Sequence, residues 1–185
     1  MSHSFPSTFA DAQRKNFVTY TPPLPPTESI PIHLLESPSL LASSGTTGFR
    51  TWEAALHLGG FLCSPAGKPY VNGLSIVELG AGTGLLSTLC ARQLGAHFVL
   101  ATDGNREIVS DLEANVGLNG LSKGFVETQQ LRWGHSLIGG ALDPRAQERR
   151  HYDTVLGAVV VRGCWKASGR LIEPTFRAKQ ARLST

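Results

Sequence analysis

The chain has 185 residues, 41% of them apolar, and a formal net charge of +3. That length suits one domain with a real core, and the apolar share excludes a disordered chain. The charge is not a basic surface: from Arg162 onward six Lys or Arg face one acid, +5, leaving 11 bases and 13 acids, −2, before it, so nucleic-acid binding is not expected.

In chain order, the first sixteen residues are polar and unpatterned and read as a flexible end. Phe17 to Tyr20 and Ile30 to Leu35 are strand-like, and the intervening TPPLPPTES fits a stiff hairpin connection better than a polyproline ligand. SSGTTGFRTWEAALHLGGFL reads as a loop followed by a helix capped by Thr51, with Trp52, Ala55, Leu56, Gly59 and Leu62 on one face. Alternation then sets in: strand 74–79, helix 85–94, strand 97–102, helix 106–118, strand 125–133 and strand 152–161. Strands alternating with helices imply a parallel sheet with right-handed crossovers.

Gly80, Gly82 and Gly84 follow the first sheet strand in IVELGAGTGLL. Glycine this dense marks a backbone that bends sharply or touches a ligand. Carboxyl ends of strands are where open α/β sheets bind ligands, and the next helix aims its first amides there. Asp103 closes the second sheet strand, placed to accept both hydroxyls of a ribose. The spacing is G-x-G-x-G, not the dinucleotide G-x-G-x-x-G, which disfavours a nicotinamide dehydrogenase. An acid just before the turn, Glu78, suits a cofactor with an amino-acid end and no pyrophosphate; S-adenosyl-L-methionine is such a molecule.

Cys63, Cys90 and Cys164 are scattered and odd in number, as expected of reduced cytosolic thiols. The six histidines pair with neither cysteines nor each other, so no metal site is expected. No apolar run approaches a membrane span, and MSHSFPSTFADAQRKNF lacks the character of a secretory signal, so a cytoplasmic protein is expected.

VELGAGTG, ATDGN, NVGLNGL, LRWG and YDTVLGA together resemble the class I, seven-stranded methyltransferases. GTTGFRTWEAALHL narrows the resemblance to methyltransferase family 16, whose members mostly modify protein lysines, and ESPSLLASSGTTGFRTWEAAL is most similar to the elongation factor 2 branch. The resemblance implies a Rossmann-like α/β fold behind an N-terminal β-hairpin. It implies a hairpin at 17–36 and a cofactor-binding sheet at 74–161, within a methyltransferase domain spanning 17–161. It implies that Trp52 packs beside the sulfonium, that Gly80, Ala81, Gly82 and Gly84 let backbone approach the cofactor, and that Asp103 holds the ribose. Trp133 would lie against the adenine and Ala158 would line the pocket floor. The implied reaction is methyl transfer to a neutral lysine amine of a protein substrate, with no dedicated general base named.

The pattern departs from the family at the last strand, where Val159 stands in place of an acid and no tyrosine follows. Residues 162–185 read as a basic irregular tail unlike the family, so the expected fold is truncated after the fourth sheet strand. Three readings of the tail are open: a compact ending covered by a partner, a basic arm, or a reading frame that leaves the family near Ala158, which the abrupt loss of motif and periodicity favours. The competing functions are an active protein-lysine methyltransferase and an inactive fragment that binds cofactor or partner. An apolar strand at the sheet border predicts marginal stability and self-association, and gel filtration showing a monomer with a sharp thermal transition overturns that.

Overall fold

The computed structural model describes residues 15–37, 47–132 and 151–158. β1 (Asn16–Tyr20) and β2 (Ile32–Glu36) pair antiparallel, from Asn16 opposite Glu36 to Tyr20 opposite Ile32. Proline cannot donate to a ladder, and β2 begins just after Pro31, two residues later than Ile30. The proline-rich connection folds on itself, with the Ser29 hydroxyl donating to the Pro22 carbonyl at 2.9 Å.

α1 (Glu53–Cys63) leads through a short turn to β3 (Ser75–Leu79), α2 (Leu85–Arg92), β4 (Phe98–Asp103), α3 (Arg106–Leu118), β5 (Val126–Gln130) and β6 (Thr154–Leu156). The four sheet strands lie in the order β5-β4-β3-β6, all parallel. The chain therefore steps outward from β3 through β4 to β5 and then returns to the other side of β3. That reversal opens a crevice at the carboxyl end of β3. Ile76, Val99, Leu86, Leu89 and Leu112 are fully or almost fully buried between sheet and helices, and Ile32 and Leu34 of the hairpin join the same core. No helix among the described residues is long and apolar enough to cross a membrane.

Two elements differ from their sequence expectations. β6 is three residues long, not ten. Its ladder starts at Asp153, whose N–H donates to the Ser75 carbonyl while its carboxylate accepts the Ser75 N–H, both at 2.8 Å, and glycine at 157 follows its end. Positions 159–161 of the expected strand lie outside the described residues, as do the N-terminal end and residues 162–185. Thr51 does not cap α1: Trp52 holds that position without a side-chain bond. The Thr51 hydroxyl donates instead to the buried Glu36 carboxylate at 2.6 Å, and its oxygen lies 2.6 Å from the Thr83 hydroxyl, which draws it away from the helix amides. Leu56, expected on the inner face of α1, is 43% exposed.

A two-stranded hairpin is marginal by itself and needs a partner. Here three side-chain carboxamides stand in for a third strand. Gln93 accepts from the Ile30 N–H at 2.9 Å and donates to the Ile30 carbonyl at 2.8 Å. Asn119 does the same for His33 at 2.9 and 2.7 Å, and Asn115 for Leu35 at 2.8 and 3.3 Å. A carboxamide carries the donor and acceptor of a peptide group, so each can satisfy both outward groups of one residue. Asn115→Ala strands both outward groups of Leu35 and should lower stability in urea by about 2–3 kcal/mol, whereas Lys15→Ala, which removes the surface ion pair to Asp111, should cost less than about 1 kcal/mol. Equal effects of the two would refute this account of the hairpin.

Candidate functional site

The turn from β3 into α2 runs through Gly80, Gly82 and Gly84, with φ of +69°, +56° and +85°. These left-handed values favour glycine. At Gly84 a side chain would also strike Leu112, whose Cδ1 lies 2.4 Å from the place a Cβ would take. The turn is fastened to the end of β4. Ala81 N–H donates to the Thr102 carbonyl at 2.8 Å and Gly82 N–H to Asp103 Oδ2 at 3.1 Å. Asp103 Oδ1 accepts from Asn105 N–H at 3.1 Å. Each Asp103 oxygen thus holds one internal bond and keeps one lone pair for a further donor. Asn105 caps α3, accepting from Glu107 N–H at 2.7 Å, so the Asp-Gly-Asn sequence sets both the carboxylate and the following helix.

A second segment lies across the turn. Gly48 sits against Gly82, and a side chain at 48 would lie 2.4 Å from Ile108 Cδ1. This places Arg50, Thr51 and Trp52 beside the glycines. The Trp52 indole N–H donates to the Thr47 carbonyl at 2.7 Å, and the Arg50 guanidinium lies 4.3 Å from the centre of the Trp52 ring. One indole face therefore already holds a cation. Thr51 joins the hairpin to the turn, its hydroxyl 2.6 Å from both Glu36 Oε1 and Thr83 Oγ1. Burial raises the Tyr20 phenol above its ordinary pKa, Thr51 opposes the shift, and the Glu36 charge adds to it.

Glu78 lies beneath the turn, 2% exposed, and accepts a hydrogen bond from the Ser87 hydroxyl of α2. Burial pushes its carboxyl up to about 7; Ser87 opposes the shift through hydroxyl and backbone amide, and the Asp103 charge adds to it. Ala158, half-buried, packs against the core two residues past the end of β6, the strand that flanks β3. The structure thus gathers Trp52, Glu78, Gly80, Ala81, Gly82, Gly84 and Asp103 around one turn, with Ala158 following the neighbouring strand. Trp133 lies outside the described residues.

A family model described as lysine methyltransferase matches residues 41–162. The chain belongs to the lysine methyltransferase family. The match spans the loop of Gly48 to Trp52, the glycine turn, Asp103 and β6. Among curated lysine methyltransferases, the protein-lysine N-methyltransferase EFM3 of Chaetomium thermophilum is 44% identical over 161 residues, covering 85% of this chain and 47% of that protein. EFM3 of Saccharomyces cerevisiae is 33% identical over 134 residues, 63% of this chain and 39% of the relative. The protein-lysine N-methyltransferase EEF2KMT of Homo sapiens is 34% identical over 92 residues, 49% and 27% respectively. The chain spans about half the length, or less, of these relatives.

Sequence reasoning assigned no role to Glu36, Gly48, Thr83 or Asn115, all of which shape the lysine methyltransferase turn. The signal for Asn115 was present, since Asn115 and Asn119 stand one helical turn apart in NVGLNGL. Glu36 had no local signal, because no glycine turn or strand–helix alternation precedes it as it does Asp103, and an isolated acid reads as solvated.

The Glu78 carboxyl has a stability consequence. Its folded pKa, about 7, lies above its ordinary 4.5. The folded state therefore holds a proton that the unfolded state releases between those values, and the contribution present below pH 4.5 is lost as pH rises to about 7. Relative to the native chain, Glu78→Gln should gain roughly 3 kcal/mol between pH 4.5 and 7.5 and nothing further above it, as followed by urea denaturation. A difference independent of pH contradicts this.

Proposed function

We propose that the chain binds S-adenosyl-L-methionine over the glycine turn and is a protein-lysine N-methyltransferase. Its protein substrate to test first is elongation factor 2, at which the name EEF2KMT of the human relative hints. The observation that carries this reading is the Asp103 carboxylate. Held by Gly82 and Asn105 N–H groups, it keeps one acceptor on each oxygen, which suits the paired hydroxyls of a ribose. Family membership supports the same donor and the lysine acceptor.

Trp52, Gly80, Ala81, Gly82, Gly84, Asp103, Trp133 and Ala158 are the proposed cofactor contacts, with Glu78 supporting the turn from below. S-adenosylmethionine, when bound, supplies a methyl group on a sulfonium, activated for transfer to an amine. The chain's own share is then to bind, to align and to exclude water. The glycine backbone lets a ligand approach closely, Asp103 orients it, and the Trp52 ring favours positive charge beside it. The proposed domain is 17–161, in a cytoplasmic protein that uses no metal. A second reading, binding without turnover, is favoured by Val159, which stands in the sequence where the family carries an acid.

Calorimetric titration of the 185-residue chain with S-adenosylmethionine should give saturable one-to-one binding. Asp103→Ala removes two charge-assisted hydrogen bonds and should weaken that binding by ~100-fold. Methyl transfer to a lysine of elongation factor 2 then separates the first reading from the second. A soluble, folded chain that does not bind the cofactor overturns the first reading and leaves the inactive fragment that binds a partner.

A further inference from the structure

We propose that Glu36 of the hairpin is a positioning residue for the glycine-turn site, acting through Thr51 and Thr83. Glu36 is 3% exposed, and both its carboxylate oxygens accept from Thr51 while its side chain also hydrogen-bonds the Tyr20 phenol. Oε1 accepts from the Thr51 hydroxyl at 2.6 Å and Oε2 from the Thr51 N–H at 3.2 Å. A hydroxyl has one hydrogen, and Thr51 gives its own to the carboxylate. The 2.6 Å contact between the two threonine hydroxyls therefore runs with Thr83 as donor. The result is a directed chain, Thr83 to Thr51 to Glu36, ending on a buried charge where such bonds are strong.

Thr83 stands between Gly82 and Gly84, inside the turn. A backbone of glycines has many accessible conformations, so something outside it must select one. Two adjacent hairpin residues reach Thr83 by separate routes. Glu36 holds its hydroxyl through Thr51. Leu35 holds its carbonyl through Asn115, whose Nδ2 donates to Thr83 O at 3.0 Å. The restrained Thr51 also precedes Trp52, so one carboxylate fixes both sides of the proposed site. The hairpin is thereby a working part of the site and not an appended element.

The cofactor arm of the test rests on the proposed function; the exchange arm does not. In the ligand-free 185-residue chain, amide hydrogen exchange over residues 79–88 should accelerate by ~10-fold or more in Thr51→Val, which keeps the shape and removes the hydroxyl, with residues 98–103 unchanged. Thr51→Ser, which keeps the hydroxyl, should restore native exchange. Affinity for S-adenosylmethionine should fall by ~10-fold in Thr51→Val, recover in Thr51→Ser, and fall no further in the Thr51→Val/Thr83→Val double variant, because the two hydroxyls act as one unit. Native exchange over 79–88 in Thr51→Val overturns the proposal, as does acceleration spread equally over the chain or affinity that stays native while exchange rises. If the native chain binds no S-adenosylmethionine, the methyltransferase reading fails, and exchange over 79–88 in Thr51→Val and in Glu36→Gln, which should accelerate alike, decides whether Glu36 governs the turn through Thr51.

Discussion

Three left-handed glycines within five residues carry the chain from β3 into α2, and the rest of the site is arranged to hold that turn in place. The fastening is distributed. From one side the end of β4 takes the Ala81 and Gly82 amides. From beneath, Glu78 joins β3 to α2 through Ser87. From above, Gly48 and Thr51 press against Gly82 and Thr83. A turn of this composition loses more conformational entropy on ordering than any other, so this density of partners is what its geometry requires.

The buried carboxyls show how charge and burial divide the work. Glu78 has one hydroxyl and a carboxylate neighbour, and its proton is held toward neutrality. Glu36 is buried to a similar degree but is given the hydroxyl and amide of Thr51. Asp103, only half-buried, has an amide on each oxygen and keeps spare acceptors. The same functional group thus serves as a buried strut, an anchor for Thr51 and an open acceptor, according to the donors that surround it.

The sheet and its order of elements were legible because apolar runs and helical periods alternate cleanly from Leu74 to Val126. The turn and Asp103 were legible because glycine spacing and a strand-end acid are local signals. What could not be read locally was tertiary. Thr51 has the residue type of a helix cap and stands close to a helix start, yet it bonds to Glu36, fifteen residues away and on another element. The amide chemistry of Gln93, Asn115 and Asn119 is visible in the sequence, but their partners on the hairpin lie up to 86 residues distant. The short β6 escaped because VLGAVVV runs on without a polar residue, and the side chain of Asp153 takes a ladder bond at the strand's start.

The carboxamide row has a consequence beyond docking the hairpin. A free strand border offers alternating N–H and C=O groups to any extended segment that passes, whether from another molecule or from a partly folded copy. Along β2 those groups are already answered, residue by residue, by side chains too short to extend the sheet further. Asparagine and glutamine end the pairing where a strand would propagate it. The hairpin is thereby guarded against strand invasion on that side mainly by groups that copy the peptide bond and stop, with the Arg92 guanidinium answering the Pro31 carbonyl between them.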